Sequence, residues 1–154
     1  MQKIVLLCVG SVKTSWIKEG IAEYASRMRS EISLETVEVP ASKHADAAKQ
    51  MEEECDRLLT ALDKRDGDAW VLDEHGTVMS SSDFATHMET ARDGGRTVIF
   101  LLGGAHGLTA ALRARAVRRF SLSPMTFPHE LCRLIFMEQL YRVTQILRGT
   151  GYHH

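Results

Sequence analysis

In the apolar stretch that closes the chain, four polar side chains stand out by type and spacing: His129, Arg133, Glu138 and Arg142. An imidazole titrates near neutral pH and can take or return a proton, while a guanidinium stabilises an anion or a phosphate. His129 and Arg133 are one helical turn apart, and Glu138 and Arg142 have the Glu-to-basic i,i+4 relation that supports a helix. That second pair is also what an ordinary surface or interface ion pair looks like. His129 follows Pro128 at a helix start, where an imidazole either works beside a ligand or simply hydrogen-bonds the backbone. Tyr152-His153-His154 ends the chain with aromatic and titratable groups, which taken alone read as a frayed tail.

Something must position these groups, and the elements are legible. Apolar runs and turn residues predict strands over 3–9, 32–39, 69–72, 97–102 and 118–122, alternating with helices over 16–29, 46–62, 81–92, 109–116 and 128–148. The strand over 32–39 slips phase at Thr36. The run 97–102 is apolar without alternation, as expected of a central strand covered on both faces. Met51, Cys55, Leu58 and Leu62 form one helical stripe. The final helix carries apolar residues on more than one face and so wants two partners, the sheet and the same helix of a second subunit. The expected fold is α/β, around a largely parallel sheet.

In such sheets ligands bind beyond the carboxyl ends of the strands. Three loops fall there: the one after Leu72, the turn Gly103-Gly104-Ala105-His106-Gly107, and the segment 122–128. Glycines in the second permit positive φ and close approach of a ligand, although Gly-Gly by itself is more often the mark of a plain tight turn. Neither G-x-G-x-x-G nor G-x-x-x-x-G-K-[ST] is present, so the two common phosphate cradles are missing. A nucleoside without a phosphate chain fits better, with apolar contacts from Leu72, Leu122 and Phe127.

The 154 residues, 44% hydrophobic and 25% charged, suit one domain over 1–154. Cys8, Cys55 and Cys132 are odd in number and lack C-x-x-C spacing, which points away from disulfides and structural metal and toward a reducing cytoplasm. The apolar run 4–9 is too short to span a bilayer and no cleavage pattern follows it, so no membrane role is expected. The net charge of −1 excludes a protein that coats nucleic acid by charge alone. From Ala105 onward, however, seven arginines face only Glu130 and Glu138, leaving this third of the chain at +5. That suggests a basic face.

The run Ser121-Leu122-Ser123-Pro124-Met125-Thr126-Phe127-Pro128-His129-Glu130-Leu131-Cys132-Arg133, then Glu138-Gln139-Leu140-Tyr141-Arg142 and a Gly151-Tyr152-His153 ending, resembles the ribosomal RNA large-subunit methyltransferase H (RlmH) family. Val9-Gly10, Glu23-Tyr24, Glu38-Val39-Pro40, Leu72-Asp73 and Gly103-Gly104 extend the resemblance over the whole chain. It implies a SPOUT-type parallel-sheet α/β/α fold with a C-terminal trefoil knot, an exception to the rule that chains do not thread loops. It further implies a cytoplasmic homodimer without metal that uses S-adenosyl-L-methionine to methylate N3 of a pseudouridine, position 1915 of 23S rRNA, in the assembled ribosome. The family's cofactor positions fall on Leu72, Gly103, Leu122, Ser123, Pro124, Met125, Thr126 and Phe127, and its catalytic and RNA-engaging positions on His129, Arg133, Glu138, Arg142, Tyr152 and His153. His154 stands where that family usually ends in a basic residue. Outside the resemblance, a small nucleotide-binding hydrolase or transferase and a non-catalytic ribosome-binding protein are the alternative readings.

Overall fold

The computed structural model describes residues 1–154 as strands and helices in strict alternation: β1 (Gln2–Val9), α1 (Ser15–Arg27), β2 (Ile32–Val39), α2 (Ala47–Asp63), β3 (Asp68–Val78), α3 (Ser81–Asp93), β4 (Val98–Leu102), α4 (Ala110–Arg115), β5 (Arg118–Ser121) and α5 (His129–Leu147). The strands form one parallel sheet in the order β2-β1-β4-β3-β5. Successive side chains of a strand face opposite ways, and two cores result. Ile4, Leu6, Cys8, Trp70, Phe100 and Phe120 face α1, α3 and α5, while Val5, Leu7, Val9, Val71, Ile99 and Leu101 face α2 and α4. All five residues of β4 are buried, as two covered faces require.

The phase slip expected at Thr36 is present, as a change of face within an unbroken strand. The β1–β2 register runs unbroken from Gln2↔Ile32 to Val9↔Val39. Ile32 and Leu34 belong to the first core and Val37 and Val39 to the second, so this edge strand changes the face it buries. A larger difference lies in β3, which does not end at Leu72 but runs on to Val78. Phe120 of β5 pairs with Leu72 and again with Thr77, so residues 73–76 bulge out of the ladder. Gly76 is needed there, because a Cβ would stand 2.7 Å from the backbone nitrogen of Phe120. The polar run Asp73-Glu74-His75 carries no alternation by which a strand could be read.

Ser80 caps α3 in a capping box with Asp83. α5 packs against α1, α3 and the sheet. Much of the second partner expected for its apolar surface is therefore supplied within the chain. No helix is long and apolar enough to cross a membrane.

Candidate active site

The bulge of β3, the loop after β4 and the loop after β5 close on one cleft of about 320 Å³ at the carboxyl edge of the sheet. Leu72, Gly103, Leu122, Ser123, Met125, Thr126 and Phe127 line it; Pro124 is exposed and stands outside the lining. The third loop is shaped by its own serines. Ser121 Oγ donates to Ser123 O at 2.8 Å, and Ser123 Oγ accepts from Met125 N at 3.0 Å. In the glycine turn only Gly107 has positive φ, at 88°. Gly103 and Gly104 serve packing instead: an added Cβ would come within 2.6 Å of Leu108 Cδ2 in one case and 2.7 Å of Glu54 Oε1 in the other.

The lining is mostly apolar and backbone, with a polar corner formed by Asp73, Glu74 and Arg113. Asp73, 4% exposed, accepts from Arg113 Nε at 2.9 Å and from His75 N at 3.0 Å, with Arg119 at 4.0 Å. Burial alone would raise its carboxyl, but the hydrogen bonds from Arg113 and His75 and the two guanidinium charges outweigh it and hold the group below the usual carboxylate range. Cys132 also lines the cleft, and burial pushes its thiol up, away from the reactive thiolate.

His129 stands exposed at the rim, at the start of α5. Its neighbour Glu130 ties α5 to the β1–α1 loop, accepting from the backbone of Lys13 and from Thr14 Oγ1 at 2.9 Å. Those donors hold the Glu130 carboxyl below its ordinary value. Arg133 turns elsewhere. Only 5% exposed, it donates to Val9 O at 3.1 Å, to Gly10 O at 3.0 Å and to Glu38 Oε2 at 2.9 Å, so it locks α5 onto the ends of β1 and β2.

Glu138, Arg142, Tyr152 and His153 form a second group. Glu138 Oε1 accepts from Arg142 Nη2 at 2.6 Å and from Tyr152 Oη at 3.1 Å. Arg142 lies 4.8 Å from the Tyr152 ring centre and 3.4 Å from His153 Nδ1. The tail is thus pinned on α5, not frayed. Burial, with Glu138 as acceptor, lifts the Tyr152 phenol to about 12. Glu138 lies nine positions after His129, which is two and a half turns and a rise of roughly 13.5 Å, on the opposite side of the helix. One chain therefore does not bring the two groups together.

Sequence reasoning did not single out Asp73, Arg113, Glu54 or Glu130. A carboxylate directly after a buried strand was the available sign for Asp73; nothing distinguished Arg113 among seven arginines.

An open parallel sheet whose loops enclose a nucleoside-sized cleft at its carboxyl edge is the ligand-binding arrangement of an α/β enzyme. The chain belongs to the SPOUT methyltransferases: the family model described as "Predicted SPOUT methyltransferase" matches residues 2–153. It is 40% identical over 153 residues to the ribosomal RNA large subunit methyltransferase H of Geobacter sp. (strain M21), covering 99% of both chains. It is 42% identical over 154 residues to the protein of that name from Thioalkalivibrio sulfidiphilus, covering 98% of both. Among solved structures, a probable methylase family protein from Haemophilus influenzae Rd KW20 matches with TM-score 0.53 at 11% identity, over 95% of this chain and 66% of that one. TrmJ from Z. mobilis ZM4 matches with TM-score 0.50 at 14% identity, over 93% and 70%. These two likenesses are of fold.

Proposed function

We propose that this methyltransferase transfers a methyl group from S-adenosyl-L-methionine to N3 of a pseudouridine in 23S rRNA, at position 1915, within the assembled cytoplasmic ribosome. The observation that carries the reading is the convergence of Leu72, Gly103 and the 122–127 loop on one cleft, with His129 at its rim. The lining fits this cofactor. Arg113 is the only lysine or arginine in it, too little for a phosphate chain, and the apolar side chains suit an adenine. No three His, Cys, Asp or Glu side chains are grouped to hold a metal ion.

When bound, the cofactor supplies a methyl group on a sulfonium. The chain's part is to orient it, exclude water and handle the proton on the target nitrogen. His129 or His153 takes or relays that proton, Tyr152 orients the base, and Arg142 steadies the anionic base or a neighbouring phosphate. Arg133, with its guanidinium engaged by Glu38 and two carbonyls, is better suited to holding α5 in place. Because the two groups on α5 are so far apart in one chain, the reading includes a homodimer in which the tail of one copy meets the cleft of the other. It also includes the C-terminal trefoil knot, in keeping with membership of the SPOUT methyltransferases.

Incubation of unmodified ribosomes, and separately of free 23S RNA, with methyl-labelled cofactor tests the reading. Label is expected on a ribosomal pseudouridine, and little on a short isolated stem-loop; label elsewhere, or efficient turnover of the stem-loop, refutes it. The pH profile of single-turnover transfer adds a sharper check. Any inflection near neutrality lies far below the Tyr152 phenol, which is pushed up to about 12. It should persist in Tyr152→Phe and vanish in His129→Asn or His153→Asn. Persistence in both histidine variants would rule out either as the base.

A further inference from the structure

We propose that Arg113, held in plane by Asp73, anchors the α-carboxylate of the cofactor's methionine part and so selects ligands that carry it. The inference rests on the cofactor reading above. Arg113 is the one fixed cation in the lining, and it reaches the cleft from α4, on the side of the β3 bulge.

Its geometry distinguishes it from a structural ion pair. Only Nε is engaged, with Asp73 Oδ2 at 2.9 Å. That single bond fixes the guanidinium plane and leaves Nη1 and Nη2 without a hydrogen-bond partner in the protein, on a side chain 31% exposed. Two parallel N–H groups in a fixed fork match a carboxylate, which takes them as a bidentate pair. Asp73 is itself fixed from behind, by His75 N at its other oxygen, and Arg119 adds positive charge at 4.0 Å. Asp73 is therefore a positioning residue: it aims the fork and does not need to touch the ligand. Glu74 completes this corner of the lining with a negative charge suited to the ligand's ammonium group. Leu72, Leu102, Leu108, Leu122 and Phe127 supply an apolar portion for the base. The cleft is thus polar in one corner and apolar beyond it, as a nucleoside joined to an amino acid requires.

Calorimetric titration with S-adenosylmethionine and with decarboxylated S-adenosylmethionine tests this, because the two differ only in the carboxylate. The wild-type chain should prefer the first by roughly 10- to 100-fold, the range of a charge-assisted hydrogen-bonded pair. Arg113→Met should lose that preference by weakening the first ligand while leaving the second nearly unchanged. Arg113→Lys, which keeps the charge without the fork, should fall between, and Asp73→Asn should reduce the preference because the fork is no longer aimed. Equal wild-type affinity for both ligands would overturn the proposal whatever the variants do. So would a Met variant that weakens both alike, or one that folds by circular dichroism and keeps the preference. Failure of the wild-type chain to bind either ligand is a separate outcome, which removes the cofactor reading and this inference with it.

Discussion

Removing residues 152–154 should slow single-turnover methyl transfer on the order of 10²- to 10³-fold, the scale of a lost proton relay or charge stabiliser, while cofactor affinity stays as it was. The separation of the two polar groups on α5 is the reason. The cleft is built from β3, β4 and β5 and their loops, and no residue of the tail lines it. The tail's attachments are to α5: Tyr152 to Glu138 and His153 to Arg142, with the Tyr152 ring edge-on to Tyr141 at 5.0 Å. Truncation thus removes chemistry while leaving intact the lining that each chain gives its own cleft. Parallel calorimetry and rapid-quench transfer on ribosomes give the two readouts. An unchanged rate takes the tail out of the site, and lost affinity would mean that the tail covers the cleft. Single variants then divide the effect. Tyr152→Phe removes one hydrogen bond to Glu138, whereas His153→Asn removes the imidazole beside Arg142.

The alternation of strands and helices could be read in the sequence because apolar runs are local and Gly or Pro punctuates them. The same locality made the breaks after Leu72, β4 and β5 visible, although the first is a bulge within β3 and not its end. Long-range pairing was not visible. Arg133 has the same identity and spacing whether it meets a substrate or a carbonyl; its partners Glu38 and Val9 lie 95 and 124 residues away, brought near only by the fold. The Asp73–Arg113 pair spans 40 residues and was hidden for the same reason. Gly103-Gly104 was legible as a turn, plain or open to a ligand's approach; the steric demand from Leu108 and Glu54 was not. The β3 bulge escaped because an interrupted ladder leaves no hydrophobic period behind. Tyr152 and His153 entered through a resemblance to known sequences, since nothing in a terminal Tyr-His says that Glu138 and Arg142 will hold it.

Phe136→Ala should cost about 3–5 kcal/mol of stability, the usual price of emptying a buried aromatic site. Phe136 is 0% exposed, and its ring meets Phe100 edge to face at 4.7 Å, with Phe84 and Phe120 each at 6.4 Å. These rings come from α3, β4, β5 and α5, so no single side-chain shift can close the hole, and the aromatic contacts are lost along with the buried area. For a domain whose whole stability is about 5–15 kcal/mol, this is a large fraction. The urea midpoint should fall with the slope unchanged, and the melting temperature should drop by roughly 6–20 °C. Phe136→Leu, which keeps more of the volume, should cost less. The pair of variants also separates stability from chemistry. Phe136 sits between His129 and the Glu138–Arg142 pair on α5 and touches neither the cleft nor the tail, so well below the midpoint the Ala variant should bind cofactor as the wild type does. A loss under about 1 kcal/mol would show that the ring is not packed as a central peg. Binding lost while the variant remains folded would instead mean that the seating of α5 itself shapes the cleft, through His129 and Cys132 at its rim.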